Sequence, residues 1–263
     1  MRAAFLTVVT LALPAAAAGA QTYSCAAPAI LPRVHAELPG DRNPQRLLPI
    51  GGYTLAVTWT PEYCHGHRGD PAAAFECERA SFGFALHGLW PDGIGPEWPQ
   101  YCKSTALLPP ATIRRTICAT PSAQLLQHEW AKHGTCTGLA PDAYFARSTG
   151  LYRKLAWPDM ASLARSPATA GSVAQAVARA NPGLSSDMIR VTANRNGWLD
   201  ELWLCLDRQM AYARCRAGSG GVPAGTAIRI AAPDRQSAVE YGRRPVSGRS
   251  RPRRDDASQD SAG

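Results

Sequence analysis

The chain has no CxxC pair, no two histidines four apart and, after its first twenty residues, no run approaching eighteen uncharged apolar residues. The first absence argues against a thiolate zinc cluster, the second against a zinc-peptidase helix, and the third against a membrane span. Histidine itself is scarce, at six residues, so any grouping of histidines is informative. No internal repeat and no long Ser/Gly/Pro linker divides the sequence, which favours one large domain.

What is present begins with an export pattern. Residues 1–20 carry one charge at Arg2, an apolar run from Ala3 to Leu13, a break at Pro14 and small residues at Ala18 and Ala20. Together these read as a cleavable signal peptide and place the mature protein in the periplasm or outside the cell. Residues 242–263 contain six arginines, three aspartates and no aromatic residue. A segment so poor in apolar surface is expected to stay disordered, as a basic tail. The formal charge of +8 falls to +4 once Arg2 and this tail are set aside. The remaining domain, 21–241, is therefore only mildly basic, which permits a polyanionic partner without requiring one.

Eight cysteines, Cys25, Cys64, Cys77, Cys102, Cys118, Cys136, Cys205 and Cys215, all lie in the mature part and fit four disulfides in an oxidising compartment. Strand character is concentrated in Tyr53 to Thr60, ended by Pro61, and in Phe82 to His87, after which "GLWPDG" predicts a turn. Helices are expected at Ser122–His133, Pro141–Leu155 and Thr169–Ala180. Met188–Ala193 and Trp198–Leu206 read as a hairpin around "NRNG", and Thr226–Ala231 as a late strand. Helices grouped between strands, without regular alternation, predict an α+β fold.

The stretch "HEWAKH", 128–133, separates its histidines by five, or about 140° around a helix, which is poor for holding one ion. Glu129 and His133 share a face, however, and Lys132 follows His128 by four. A carboxylate, an ammonium and two imidazoles can move a proton and offset negative charge without metal. A second proton carrier is needed, and His87, at the end of an apolar strand and before Gly88, is the best candidate. His35, His65 and His67 lie in polar surroundings and read as surface residues. Taken singly, each site residue has an ordinary alternative as a hydrogen-bonded histidine, a solvated helix face or a core tryptophan. Their combination points to an acid–base hydrolase or transferase.

"FALHGLWP" (84–91) and "HEWAKHGTC" (128–136) resemble the two signature segments of the ribonuclease T2 family, secreted acid-type ribonucleases. "YTLAVTWTPEYC", "PDAYFARSTGLYRKL" and "NGWLDELWLCLD" extend the likeness over most of residues 25–231. The resemblance implies a disulfide-stabilised α+β fold with a central antiparallel sheet and packed helices. It also implies cleavage of single-stranded RNA through a 2′,3′-cyclic phosphate, with no cofactor or metal and no cutting of DNA, by a monomer that does not engage membranes. Carried over, His133 is the base towards the 2′-OH and His87 the acid towards the leaving 5′-oxygen. His128 resembles a phosphate ligand, and Glu129 and Lys132 the groups that stabilise the transition state. Trp90, Asp92 and Trp98 match positions around the bound base, Trp90 more closely than Trp98.

Departures are confined to cysteines. Ala193 stands where the family commonly has one, and another is missing after Cys215, so one familiar disulfide is lost as a unit. The family pattern pairs Cys102 with Cys136 and Cys205 with Cys215; for the others Cys77–Cys118 is the preferred pairing, leaving Cys25 and Cys64. Two rivals remain: an inactive secreted RNA-binding protein on the same scaffold, and a zinc hydrolase using His87, His128 and His133. Both proton carriers start from a usual value of about 6.5, and with Glu129 and the substrate phosphate altering the balance the active reading predicts a bell-shaped profile with an optimum at about pH 4 to 6.

Overall fold

From Tyr53 to Trp59 the strand Ile50–Trp59 alternates: Tyr53, Leu55, Val57 and Trp59 enter the apolar core, while Thr54, Ala56 and Thr58 face the other side. That strand is the second in a structure, a computed structural model, that describes residues 22–233. The expected signal peptide, 1–20, and basic tail, 242–263, lie outside the described residues. In chain order the elements are β1 (Thr22–Ser24), β2 (Ile50–Trp59), α1 (Thr60–Gly66), β3 (Ser81–Phe82), β4 (Phe84–Gly93), α2 (Pro110–Thr116) and α3 (Ala123–Lys132). There follow α4 (Pro141–Arg153), α5 (Met160–Ala164), β5 (Ala168–Thr169), α6 (Ala170–Ala180), β6 (Ile189–Ala193), β7 (Leu199–Leu206) and β8 (Ala227–Ile228). The central sheet is antiparallel, in the order β4-β2-β7-β6, and β1-β3 and β5-β8 form two small ribbons.

One face of the sheet is covered by helices. Leu126 and Trp130 of α3, Tyr144, Phe145 and Tyr152 of α4, and Val173 and Val177 of α6 join the strand residues in one core. Two buried tyrosines lock α4 to the edge strand: the Tyr144 hydroxyl donates to Leu89 O at 3.0 Å and that of Tyr152 to Phe84 O at 2.8 Å. Helix starts follow their sequence signals. Ser122 accepts from Leu125 N at the head of α3, and Thr169 with Ser172 forms a capping box on α6. This is the α+β architecture expected, with helices packed on a central antiparallel sheet.

Three local expectations differ. The turn predicted at "GLWPDG" does not occur, because β4 continues to Gly93. As the sheet's edge strand, β4 tolerates Pro91, whose missing N–H needs no ladder partner on the open side. Pro61 does not merely end a strand; it occupies the first turn of α1, where its fixed φ suits helix initiation. Of Thr226–Ala231, only Ala227–Ile228 pairs as strand.

The cysteines are all paired, as Cys25–Cys118, Cys64–Cys77, Cys102–Cys136 and Cys205–Cys215. The Cys77–Cys118 expectation is therefore corrected. Helix α1 and the π-helical turn Phe75–Arg79 fold back on each other and bring the Cα atoms of Cys64 and Cys77 to 5.3 Å. Cys118, just after α2, instead receives the N-terminal arm, whose Pro28 and Ala29 carbonyls accept from Arg114.

Non-reducing peptide mapping should recover Cys25 linked to Cys118 and Cys64 to Cys77. Replacing both Cys25 and Cys118 with Ser should lower stability by about 2–5 kcal/mol, since that bridge closes a long loop and tethers the arm. Chemical unfolding measures the loss, and recovery of a Cys77–Cys118 peptide would contradict the fold of this region.

Candidate active site

His87 owes its position to a β-bulge. Ala56 pairs with Gly88 and Val57 with Leu86, so His87 is the extra residue on β4. A bulge re-aims the side chain of the added residue. Here the imidazole turns to the sheet face opposite the main core, where Nδ1 lies 2.5 Å from Glu201 Oε1 and Nε2 lies 3.5 Å from Glu129 Oε1. The next residue is glycine: a Cβ at Gly88 would sit 1.7 Å from Glu129 Oε2, so a larger residue would force that buried carboxylate and its bond from Trp90 to shift.

Helix α3 supplies the remaining groups from its last turns. Glu129 is almost fully buried, 2% exposed, and accepts from Trp90 Nε1 at 2.9 Å. His133, the C-cap, is 5% exposed, and its Nδ1 is buried without a hydrogen-bond partner. Its ring lies 5.6 Å from that of Trp90 and 6.4 Å from that of His128. The helix end is clamped to the loop after β4 by Cys102–Cys136, by Tyr101 N donating to Lys132 O at 2.8 Å, and by Cys102 N donating to Thr135 Oγ1 at 3.1 Å.

Environment separates the two proton-transfer candidates. Burial alone would depress His87, but the hydrogen bond to Glu201 and the charges of Glu129, Glu201 and Asp200 outweigh it and raise its pKa to about 9. Burial depresses His133 well below its usual range, and the cations of Lys132, His128 and His87 push it further down. Burial raises Glu129 to about 7 against the opposing pull of His87, Trp90 and Lys132. Burial and Lys132 lower His128, with Glu37 opposing, and burial lowers Lys132. At neutral pH one imidazole is charged and the other is not, so the cluster holds an acid and a base side by side.

The remaining expected residues fall into two groups. Trp90 is wedged between reactive rings, edge-on to His87 at 5.1 Å and to Trp203 at 5.5 Å, with its N–H given to Glu129. The open aromatic surface belongs instead to Trp98, 44% exposed, with the Arg46 guanidinium 4.6 Å from its ring centre. Asp92 accepts from Thr54 Oγ1 at 2.9 Å, and burial raises its pKa. His67 stacks on Tyr63 at 4.1 Å, away from these contacts.

Sequence reasoning missed Glu201, Thr58 and Glu37. Glu201 faces the site because Thr58 pairs opposite it across β2 and β7. Its signal was a pair of carboxylates, Asp200 and Glu201, inside the otherwise apolar strand "LDELWLCL". Glu37, on the irregular N-terminal arm, lies 3.5 Å from His128 Nδ1 and accepts from Gln124 at 2.8 Å; no local pattern marks it. As for metal, donor atoms of His128, Glu129 and His133 lie within 4.8 Å of one another, a set that omits His87 from the expected zinc trio. Glu129 already serves Trp90 and His87, so a metal would compete with those contacts.

A model of the ribonuclease T2 family matches residues 50–215. The chain is 28% identical to a probable ribonuclease of Haemophilus influenzae over 64% of its own length, spanning 62% of that protein. It is 33% identical to a ribonuclease of Aeromonas hydrophila, over 60% of this chain and 72% of that one. Among solved structures, RNase NT in complex with 5′-AMP superposes with a TM-score of 0.56 at 22% identity, covering 70% of this chain and 99% of the other. An RNase-related protein from Calystegia sepium gives 0.55 at 21%, covering 68% and 96%. The fold is thus that of these structures.

Histidine-resolved NMR titration should find His87 protonated until about pH 9 and His133 neutral throughout the range in which free histidines titrate. The reverse order would mean that the burial and pairing described here do not control the site.

Proposed function

The chain belongs to the ribonuclease T2 family, and from that premise we propose that it is an endoribonuclease cutting single-stranded RNA by attack of the 2′-OH. The observation that carries this reading is the unequal pairing of two imidazoles in one cluster: His87 has a carboxylate at each ring nitrogen, which favours its proton, while His133 is buried with Nδ1 unpartnered, which disfavours one. His133 takes the proton of the 2′-OH as that oxygen forms its bond to phosphorus. The bond from phosphorus to the 5′-oxygen breaks, and His87 gives that oxygen its proton, leaving a 2′,3′-cyclic phosphate. In the second step the now neutral His87 takes a proton from water, and His133 returns its proton to the 2′-oxygen, leaving a 3′-phosphate.

The nucleophile is already beside its phosphorus, so orientation replaces an encounter between molecules. Lys132 and His128 offset charge on the phosphoryl oxygens, and Glu129 sits between the two proton carriers. No metal enters these steps, because the acid, the base and the charge-stabilising groups are all side chains. DNA, which lacks the 2′-OH, would not be cut. Trp90, whose ring lies beside those of His87 and His133, and the more exposed Trp98 offer aromatic faces for the base, and Asp92 an acceptor. Every group comes from one chain, as a monomer requires, and four disulfides suit an exported protein. We further assign the catalytic domain to residues 21–241, preceded by a cleaved signal peptide, 1–20, with the basic tail, 242–263, outside the chemistry.

The pH window changes with the structure. Activity is lost as pH rises through the His87 value of about 9, because the acid then lacks its proton. It is lost at the other end only as pH falls through the depressed His133 value, because the base then becomes charged. The profile of kcat/KM is therefore expected to be broad, with an alkaline limb near pH 9 and an acid limb below the usual histidine range.

The decisive experiment is a time course on short RNA with excess chelator, analysed for chain ends. Cyclic phosphate ends should form with wild type and decline by about 10² to 10⁴ with His87→Ala or His133→Ala. Immediate 5′-phosphate ends, cleavage of DNA or abolition by chelator would overturn the mechanism. Truncation after Tyr241 should leave saturated turnover intact and at most reduce salt-sensitive RNA binding.

A further inference from the structure

Glu201 lies outside both signature segments, yet it makes the shortest contact to a proposed proton carrier. Its Oε1 is 2.5 Å from His87 Nδ1 and also accepts from Thr58 Oγ1 at 2.9 Å, while Oε2 accepts from Trp203 Nε1 at 2.7 Å. The backbone is fixed as well, with Glu201 N donating to Thr192 Oγ1 at 2.9 Å. Both oxygens are thus occupied on one side of the sheet, and the side chain is only 12% exposed. Among the described residues, His87 is its one ion-pair partner. A mostly buried carboxylate that faces no lysine or arginine is costly unless the imidazole carries its counter-charge.

We propose that Glu201 is the positioning residue for the proton donor: by holding His87 through Nδ1, it turns Nε2, the atom that gives up the proton, towards the leaving oxygen. This rests on the ribonuclease reading above. Because an ionised carboxylate accepts only, Nδ1 must carry a hydrogen, and the tautomer is set. When Nε2 gives its proton to the 5′-oxygen, the Nδ1–H bond to Glu201 persists, so the neutral ring stays oriented to take a proton from water in the second step. Glu129 cannot substitute, since it stands at 3.5 Å on the Nε2 side, where the reacting oxygen must come. The charged groups acting on this ring are Glu201 and Asp200 from β7, Glu129, His128 and His133 from the α3 segment, and Glu76 from the turn beyond α1. Of these, Glu201 alone is in contact with Nδ1.

The test compares two substrates that differ in the need for an acid. A dinucleoside phosphate loses an alkoxide that must be protonated, whereas a nucleoside 3′-(4-nitrophenyl phosphate) loses an aryl oxide that departs as its anion. In full-length mature protein, Glu201→Gln should lower turnover of the dinucleoside phosphate by about tenfold to a hundredfold and leave the aryl ester nearly unchanged. The amide can donate to Nδ1 and so favours the wrong tautomer. The alkaline limb of the pH profile should also move down. His87→Ala, run alongside, should show the same selectivity with a larger loss. If His87→Ala slows both substrates equally, the acid assignment fails. If His87→Ala is selective and Glu201→Gln is not, the positioning role fails. Should Glu201→Gln not fold, as judged by thermal unfolding, Glu201→Asp keeps the test: selective loss supports the proposal and equal loss on both substrates overturns it.

Discussion

The site depends on the absence of one carbon atom. With no Cβ at Gly88, the carboxylate of Glu129 occupies the space against β4, and helix α3 can bring its last turn onto the edge of the sheet. That contact fixes Trp90 through its N–H and leaves His87, the bulged residue, within 3.5 Å of the helix's Glu129. A methyl group at position 88 would have to displace either the helix or the carboxylate. Either outcome would disturb the Trp90–Glu129 bond that joins strand to helix. The bulge and the glycine act together: one aims the ring outward and the other lets its partner approach.

Once three imidazoles share so small a volume, their charges cannot be set independently. A proton on any one disfavours a proton on the others, and burial disfavours all. The structure resolves this competition by unequal pairing. His87 has carboxylates at both ring nitrogens, whereas His133 has an unpartnered Nδ1. The positive charge therefore settles on His87. His128 is intermediate, with Glu37 3.5 Å from one nitrogen and Lys132 working against its protonation. Trp90 contributes by contact, its ring 5.1 Å from that of His87 and 5.6 Å from that of His133.

Much of this was legible from sequence where a residue's role depends on near neighbours. The helix 122–133 with Ser122 as cap, the long helix from Pro141 and the hairpin around "NRNG" follow from periodicity and turn chemistry. The shared face of Glu129 and His133 follows from helical spacing. The continuation of β4 through "GLWPDG" did not, because Pro91 reads as a breaker until β4 is known to be the sheet's edge. Nor did the pairing of Cys25 with Cys118, which depends on an arm with no regular structure of its own. Trp90 and Trp98 exchange their expected prominence for a similar reason: exposure is a property of neighbours, and Arg46 and Glu129 come from distant parts of the chain.

The division between what was legible and what was not coincides with a division of labour in the site. Groups that would touch the reacting atoms lie in two compact motifs, where spacing alone brings them together. Groups that orient them arrive from elsewhere: Glu201 and Trp203 from β7, Thr58 from β2, and Glu37 and Arg46 from the N-terminal arm. The arm precedes residue 50, where the family match begins, so its contacts belong to this chain and not to the matched segment. It is tied down by Cys25–Cys118, by the pairing of Arg46 with Gln100, and by Gln124, which bonds both to the backbone of His35 and to Glu37. The arm so held lays a carboxylate against His128 and a guanidinium against the open Trp98 ring. The two motifs thus supply the clustered titratable groups, and the surrounding strands and arm bias their protonation and set the surfaces around them.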